Sequence, residues 1–295
     1  MTLIGGIDAG GTSMKLATAI PDGEIIASHR VPTGEPGATL AQVRNWFASQ
    51  PPIDGLGVAA FGPIRVDRRA PDYGHLLVTS KPGWSHFDLG DALRPITPGP
   101  IAIELDVTGA AIAEHQVGAG QGIANFAYVT VGTGVGMGLL AEGTPFPSAL
   151  HPEAGHIFAR RHPADADFAG TCPHHGDCIE GMMSAAAIRA RWGVGAEAFD
   201  DDHAAWPVLG HYAGALAHAA ILVAGVDRVA FGGGIGSRPI LARWAIEAFE
   251  ALVGPYRSVI DARGTAADMI VPASLGDRSG LIGALILAER ALHAL

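Results

Sequence analysis

Apolar residues gather in short runs along the first third of the chain, and glycine or proline closes each run. Leu3 to Ala9 reads as a buried strand and Met14 to Ile20 as a second, with Gly10, Gly11 and Thr12 in the turn. Pro21-Asp22-Gly23 leads into a third strand, Glu24 to Val31, which completes an antiparallel meander. From Ala38 to Ser49 the period changes: Leu40, Val43, Trp46 and Phe47 stand at helical spacing. Ile53 to Phe61 returns to strand character. The polar, proline-bearing stretch Gly62 to Pro82 then reads as a long loop, and long loops inside compact domains tend to be functional.

The pattern continues with a strand, Pro100 to Leu105, and a helix from about Thr108 to Gly118. Phe126 to Val131 and Val135 to Ala141 flank Gly132, Thr133 and Gly134, repeating the strand–turn–strand of the N-terminus. That echo implies two similarly built lobes, hinged near Ala119–Asn125. Helices follow at Glu180 to Trp192 and Ala204 to Ala224. A buried strand, Val229 to Phe231, runs into Gly232-Gly233-Gly234 and a helix to about Val253. Met269 to Ala273 is the last strand and Leu281 to His293 the terminal helix. Strands alternating with helices in this way place the chain in the α/β class.

Composition narrows the classes. At 295 residues there is room for one large or two medium domains, and 48% hydrophobic against 16% charged residues marks a globular chain. A formal net charge of −10 argues against nucleic acid or an acidic membrane as partner. Two cysteines fit a reducing compartment. The N-terminus lacks the basic and apolar regions of a signal peptide, and the apolar run Tyr212–Ala224 is too short to span a bilayer. A cytoplasmic, soluble protein is expected. Asp200-Asp201-Asp202 reads as a solvated helix lead-in.

The densest chemistry lies between His151 and Glu180, which holds both cysteines and five of the thirteen histidines. Cys172, His175 and Cys178 form Cys-x2-His-x2-Cys, a spacing that lets one tight loop present three zinc ligands. His156 is the first candidate for the fourth, with His151, His162 and His174 as rivals; two free thiols amid unrelated histidines is the competing reading. Glu153 and Glu180 flank these ligands, and carboxylates held by such a loop suit the hydroxyls of a polyol, unless they are simply solvated.

Elsewhere, glycine in the N-terminal hairpin lets the backbone present N–H groups to an anion. Asp8, at the end of the first strand, could hold Mg²⁺ through water beside it; ordinary turn chemistry is the alternative. Asp106, at the carboxyl end of a strand and the start of a helix, occupies a position where α/β folds put catalytic groups. Helix capping competes for that residue. The glycine run 232–234 suits a nucleotide's ribose and adenine, or only a tight strand–helix turn.

EAGH (Glu153 to His156) followed by CPHHGDCIEG (Cys172 to Gly181) resembles the signature of the ROK family of sugar kinases and repressors, in particular its bacterial fructokinase branch. The resemblance implies metal ligation by His156, Cys172, His175 and Cys178, with His174 one residue out of register. It implies a first phosphate element at Asp8, Gly10, Gly11 and Thr12, a second at Gly132, Thr133 and Gly134, and nucleotide contacts at Gly232, Gly233 and Gly234. DVTGAAIAE, Asp106 to Glu114, matches the segment that carries the catalytic aspartate. KPGW, Lys81 to Trp84, matches a segment near the sugar, so Glu153, His156, Glu180 and Lys81 become the expected substrate contacts. Three departures stand out. Ser13 replaces a lysine of close fructokinases, with Lys15 two residues on; Thr108 replaces an asparagine; and Leu105 replaces the asparagine of glucokinase-like members, which leans away from glucose.

What the resemblance implies for the whole is a two-lobed actin-like (ribonuclease H-like) α/β ATPase fold with a zinc-stabilised loop. Residues 1–118, joined by the helix 279–295, would form the first lobe, and 119–278 the second, with the zinc-binding segment at 151–180. The implied activity is ATP-dependent phosphorylation of a hexose, D-fructose first, with mannose, glucose or an N-acylated hexosamine behind it. ATP, Mg²⁺ and Zn²⁺ are the implied cofactors, and a homodimer the implied assembly. A sugar-sensing repressor of the family would carry a helix-turn-helix segment ahead of the first strand. A non-catalytic sugar-binding protein is the remaining alternative.

Overall fold

The computed structural model describes residues 2–21, 24–148 and 150–294, so Asp22 and Gly23 of the expected turn lie outside the described residues. The chain divides into two compact units: Met1–Ala113 with Pro145–His151 and Arg278–Leu295, and Glu114–Thr144 with Pro152–Asp277.

The first unit is built on β1 (Ile4–Ala9), β2 (Ser13–Ala19), β3 (Ile25–Pro32), β4 (Gly55–Ala60) and β5 (Ile101–Leu105), in the order β3-β2-β1-β4-β5. β1 pairs antiparallel with β2 and parallel with β4, and β4 pairs parallel with β5. Every residue of β4 is buried, as expected of a parallel strand covered on both faces. The Ser279–His293 helix packs on β1 and β4. Glycine permits that approach: a Cβ at Gly57 would collide with the carbonyl of Ala284, and one at Gly283 with that of Gly109. Pro36–Ala48 is a helix because Glu35 caps it, Pro36 fits its first turn, and Leu40, Val43 and Phe47 turn inward.

The second unit repeats the plan. β6 (Asn125–Val131), β7 (Val135–Ala141), β8 (Thr144–Pro145), β9 (Arg228–Gly232) and β10 (Ile270–Pro272) take the order β10-β9-β6-β7-β8. β6 plays the part of β1, antiparallel to β7 and parallel to β9, which is parallel to β10. Two sheets of the same order, each opening on a glycine hairpin, are the actin-like ATPase fold that the sequence implied. The Ala205–Ala224 helix has 20 residues and is long and apolar enough to cross a bilayer, which the shorter apolar run had concealed. Its Trp206, Leu209, Tyr212, Leu216 and Ile221 are instead buried in the core of this unit.

Two expected helices are each broken. Glu180 to Trp192 divides into Ile179–Met183 and Ala185–Trp192 at Ser184, whose extended backbone ends one helix while its hydroxyl caps the next. After the glycine run, Gly233–Gly236 stops and a second helix starts at Pro239, where a missing N–H costs nothing. The division between the units falls between Ala113 and Glu114, inside the Asp106–Val117 helix.

Candidate active site and metal centre

In the second unit the chain from Pro152 onward folds back so that the ligand atoms of His156, Cys172, His175 and Cys178 all lie within 4.8 Å of one another. His156 Nδ1 is 3.7 Å from Cys172 Sγ and 3.6 Å from Cys178 Sγ, and His175 Nδ1 is 3.8 Å from Cys172 Sγ. Tetrahedral bonds of about 2.3 Å to sulfur and about 2.0 Å to nitrogen imply sulfur–nitrogen edges of about 3.5 Å. The four donors therefore fit zinc. Gly176, at φ +62, makes the tight turn between them, and the amides of Cys172 and Gly176 each bond the other's carbonyl at 3.1 and 2.9 Å. Burial, together with the neighbouring Cys172 thiol and Glu180 carboxylate, pushes the Cys178 thiol up to about 11. A cation would reverse this by stabilising the thiolate.

The rivals stand elsewhere. The ring centre of His174 is 6.5 Å from that of His156, against 4.9 Å for His175, and both residues are exposed. His162 caps a short helix by accepting from the amide of Ala164. His151 is buried in the first unit, where a Cβ on Gly62 would come within 3.1 Å of its Nε2.

The segment leading to the cysteines is braced from behind by Asp165, a buried carboxylate. Both its oxygens accept from Arg191 Nη1, at 2.9 and 2.7 Å, and Tyr212 Oη donates to one of them at 2.7 Å. Breaking one side of such a buried pair costs about 3–5 kcal/mol. Arg161 adds a bond to Asp177 at 2.7 Å. Sequence reasoning missed this brace, because arginines at 161 and 191 give no local sign of meeting the segment between them.

Glu180 is the second residue of the helix Ile179–Met183, and its Oε2 accepts the amide of Val135 at 3.0 Å. Gly155, next to His156, is pressed against the Val135 carbonyl. The metal cluster and the second glycine hairpin are thus joined through Val135. In that hairpin Gly132 N–H bonds the Gly134 carbonyl at 3.0 Å, Thr133 is exposed, and nothing lies within 4 Å of where a Gly132 side chain would begin. Glu153 is exposed at the start of the turn that carries His156.

Of the 232–234 run, Gly232 packs on the Tyr128 phenol, Gly233 takes φ +79 under Val131, and Gly234 is exposed with open space beside it. Gly233 is called for by its positive φ and Gly232 by its packing on Tyr128, while Gly234 has open space beside it.

In the first unit, the turn 10–12 is held by Thr33, whose amide donates to the Thr12 carbonyl at 3.0 Å and whose hydroxyl donates to the Gly10 carbonyl at 2.7 Å. Asp8 faces Lys15 across the β1–β2 ladder, with Nζ 3.4 Å from Oδ2. The carboxylate fits because residue 280 is glycine: a Cβ there would lie 2.7–2.8 Å from it. Asp106, partly exposed, is the first residue of its helix, and its Oδ1 accepts the amide of Val107 at 2.7 Å. Two residues earlier, burial pushes the Glu104 carboxyl up to about 7, against the opposing pull of Arg68.

The ROK family pattern matches residues 4–291. The fructokinase of Zymomonas mobilis is 36% identical over 300 residues, which cover 97% of this chain and 96% of that protein. The fructokinase of Pediococcus pentosaceus is 34% identical over 292 residues, covering 98% and 99%. Among solved structures, the ROK family glucokinase of Streptomyces griseus, in complex with glucose and AMPPNP, superposes with a TM-score of 0.72 at 22% identity, covering 98% of this chain and 99% of that one.

Proposed function

The chain belongs to the ROK family, and on that premise we propose that it is an ATP-dependent sugar kinase converting D-fructose to fructose 6-phosphate. One observation carries the reading: two proteins named fructokinase match the chain from end to end; Asp106, directly after β5, is a carboxylate suited to the chemistry.

Phosphoryl transfer to a hydroxyl needs an anion cradle, a base and orientation, with no covalent intermediate on the protein. The amides of Gly11 and Thr12, and of Thr133 and Gly134, are offered to phosphate oxygens, while the Gly10 and Gly132 amides bond the carbonyls of Asp8 and Gly134 and shape the two turns; Gly234 leaves space for the nucleoside. Asp8 would hold Mg²⁺, which when bound supplies charge that neutralises the phosphates. Glu153, His156 and Glu180 orient the sugar by accepting from or donating to its hydroxyls. Asp106 takes the proton from the attacking hydroxyl as its oxygen closes on the γ-phosphate.

His156, Cys172, His175 and Cys178 would hold Zn²⁺. When bound, the ion supplies the charge that keeps two thiolates buried and fixes the loop that carries Glu153 and Glu180.

A coupled assay for ADP release across fructose, mannose, glucose and N-acylated hexosamines tests the proposal. Turnover with fructose far above the others is expected. Preference for another hexose overturns the substrate, and sugar binding without ADP release overturns the activity.

A further inference from the structure

We propose that Lys81 is an anion-binding residue of the first glycine hairpin, gripping the terminal phosphates of the nucleotide, and is not a sugar ligand. This rests on the kinase reading above. A Cβ built on Gly11 would lie 2.7 Å from Lys81 Cε and 2.9 Å from its Nζ, so the ammonium sits on the turn where a side chain at residue 11 would have been. The other lysine of the hairpin, Lys15, is 3.4 Å from Asp8, and Ser13 brings no charge. Lys81 therefore brings a cation against the turn at Gly11, beside the amides of Gly11 and Thr12.

The placement is built in rather than incidental. Trp84, three residues on, is buried, and its indole Nε1 donates to the Gly34 carbonyl at 2.8 Å. The rings of Phe61 and Phe87 pack edge-on against it at 5.5 and 5.3 Å. Gly83, at φ +80, lies against the ring of Pro36. The residue before Gly34 is Thr33, which bonds the carbonyls of both Gly10 and Thr12. Two consecutive residues thus tie down the hairpin and the arm that bears the lysine, fixing one against the other. Backbone amides offer only partial charges to a triphosphate, and an ammonium beside them adds a full one, the combination that phosphate-binding loops use.

Calorimetric binding of AMPPNP and of AMP to the zinc-loaded protein tests this on Lys81→Met and Lys81→Arg, with the steady-state KM for sugar measured alongside. Lys81→Met should weaken AMPPNP by at least about 10-fold, the loss expected for a charged hydrogen bond. AMP affinity, sugar KM and the unfolding temperature should barely change, and Lys81→Arg should recover most of the loss. A rise in sugar KM with AMPPNP affinity intact would make Lys81 a sugar ligand. Equal losses for AMPPNP and AMP would make it a structural prop, and no change at all a solvated side chain; each overturns the proposal. A wild type that binds AMPPNP but phosphorylates no sugar ends the kinase reading alone, whereas one that binds no AMPPNP ends both.

Discussion

The amide of Val135 donates to Glu180 Oε2 at 3.0 Å, so the residue that leaves the second glycine hairpin is bonded to the residue two places after Cys178. Glu180 therefore has two duties: the proposed sugar contact and the satisfaction of a buried amide. Truncation removes both. Leaving such a donor unpaired costs about 1–3 kcal/mol, and the penalty falls on the hairpin.

Glu180→Ala should accordingly raise the KM for sugar and weaken AMPPNP as well. Glu180→Gln keeps an oxygen for Val135 while giving up the charge, so it should raise the sugar KM and leave AMPPNP binding nearly intact. Steady-state kinetics and calorimetry on the pair separate the duties. If the glutamine variant lost nucleotide as severely as the alanine variant, charge rather than the Val135 bond would be what the hairpin needs.

The metal cluster makes a sharper demand. Elemental analysis should find one zinc per chain, and His175→Ala or Cys178→Ser should lose it, because metal binding and ordering of such a loop are one free energy. His174→Ala should keep it. Zinc retained by His175→Ala but lost by His174→Ala would mean that the exposed His174 ring swings in and that the cluster is misregistered by one residue.

Much of this was readable from residue types. Runs such as IGGIDA and GLGVAA are apolar without alternation, and only central strands bury both faces, so β1 and β4 stood out. The four donors were legible because thiol and imidazole in one short stretch have few other uses. Other features depended on partners distant in sequence. Lys81 lies against Gly11, seventy residues earlier, a neighbour that no local pattern announces. Glu114 is fully buried, accepting from the amides of Ala119, Ser274 and Leu275, although nothing in the helix around it foretells a carboxylate inside. Ser184 went unnoticed because helical spacing resumes at once on its far side.

Glu104 gives a prediction in pH. Burial raises its carboxyl to about 7 in the folded chain, above an ordinary value of 4.5. Below that ordinary value both folded and unfolded chains hold the proton, and the group is neutral to stability. As pH climbs toward 7 the unfolded chain ionises more readily, so the folded state loses ground, by up to about 3 kcal/mol above the window. Glu104→Gln should therefore stabilise the protein clearly at pH 8 and hardly at pH 4.5, as read by urea unfolding at both. Equal effects at the two pH values would show that the side chain is not titrating across this range.

Asp106 is the last and most consequential test. Its Oδ1 already accepts the amide of the next residue, Val107, at 2.7 Å, so the carboxylate also serves the first turn of its helix, a duty related to capping. Capping and proton transfer ask different things of the group. Capping needs one oxygen, which asparagine also supplies. Accepting a proton needs a carboxylate, which asparagine lacks. Asp106→Asn should then unfold within a degree or two of wild type and bind AMPPNP and sugar normally, while turnover falls at least about 10²-fold, the lower end for general-base help. Asp106→Ala should add a loss of about 1 kcal/mol in stability on top of the same kinetic defect. Because a carboxylate need accept the proton only as charge develops on the attacking oxygen, no raised pKa is required of it. An asparagine variant that melted early yet turned over normally would leave Asp106 as a cap and nothing more, and the base would have to be sought elsewhere in the chain.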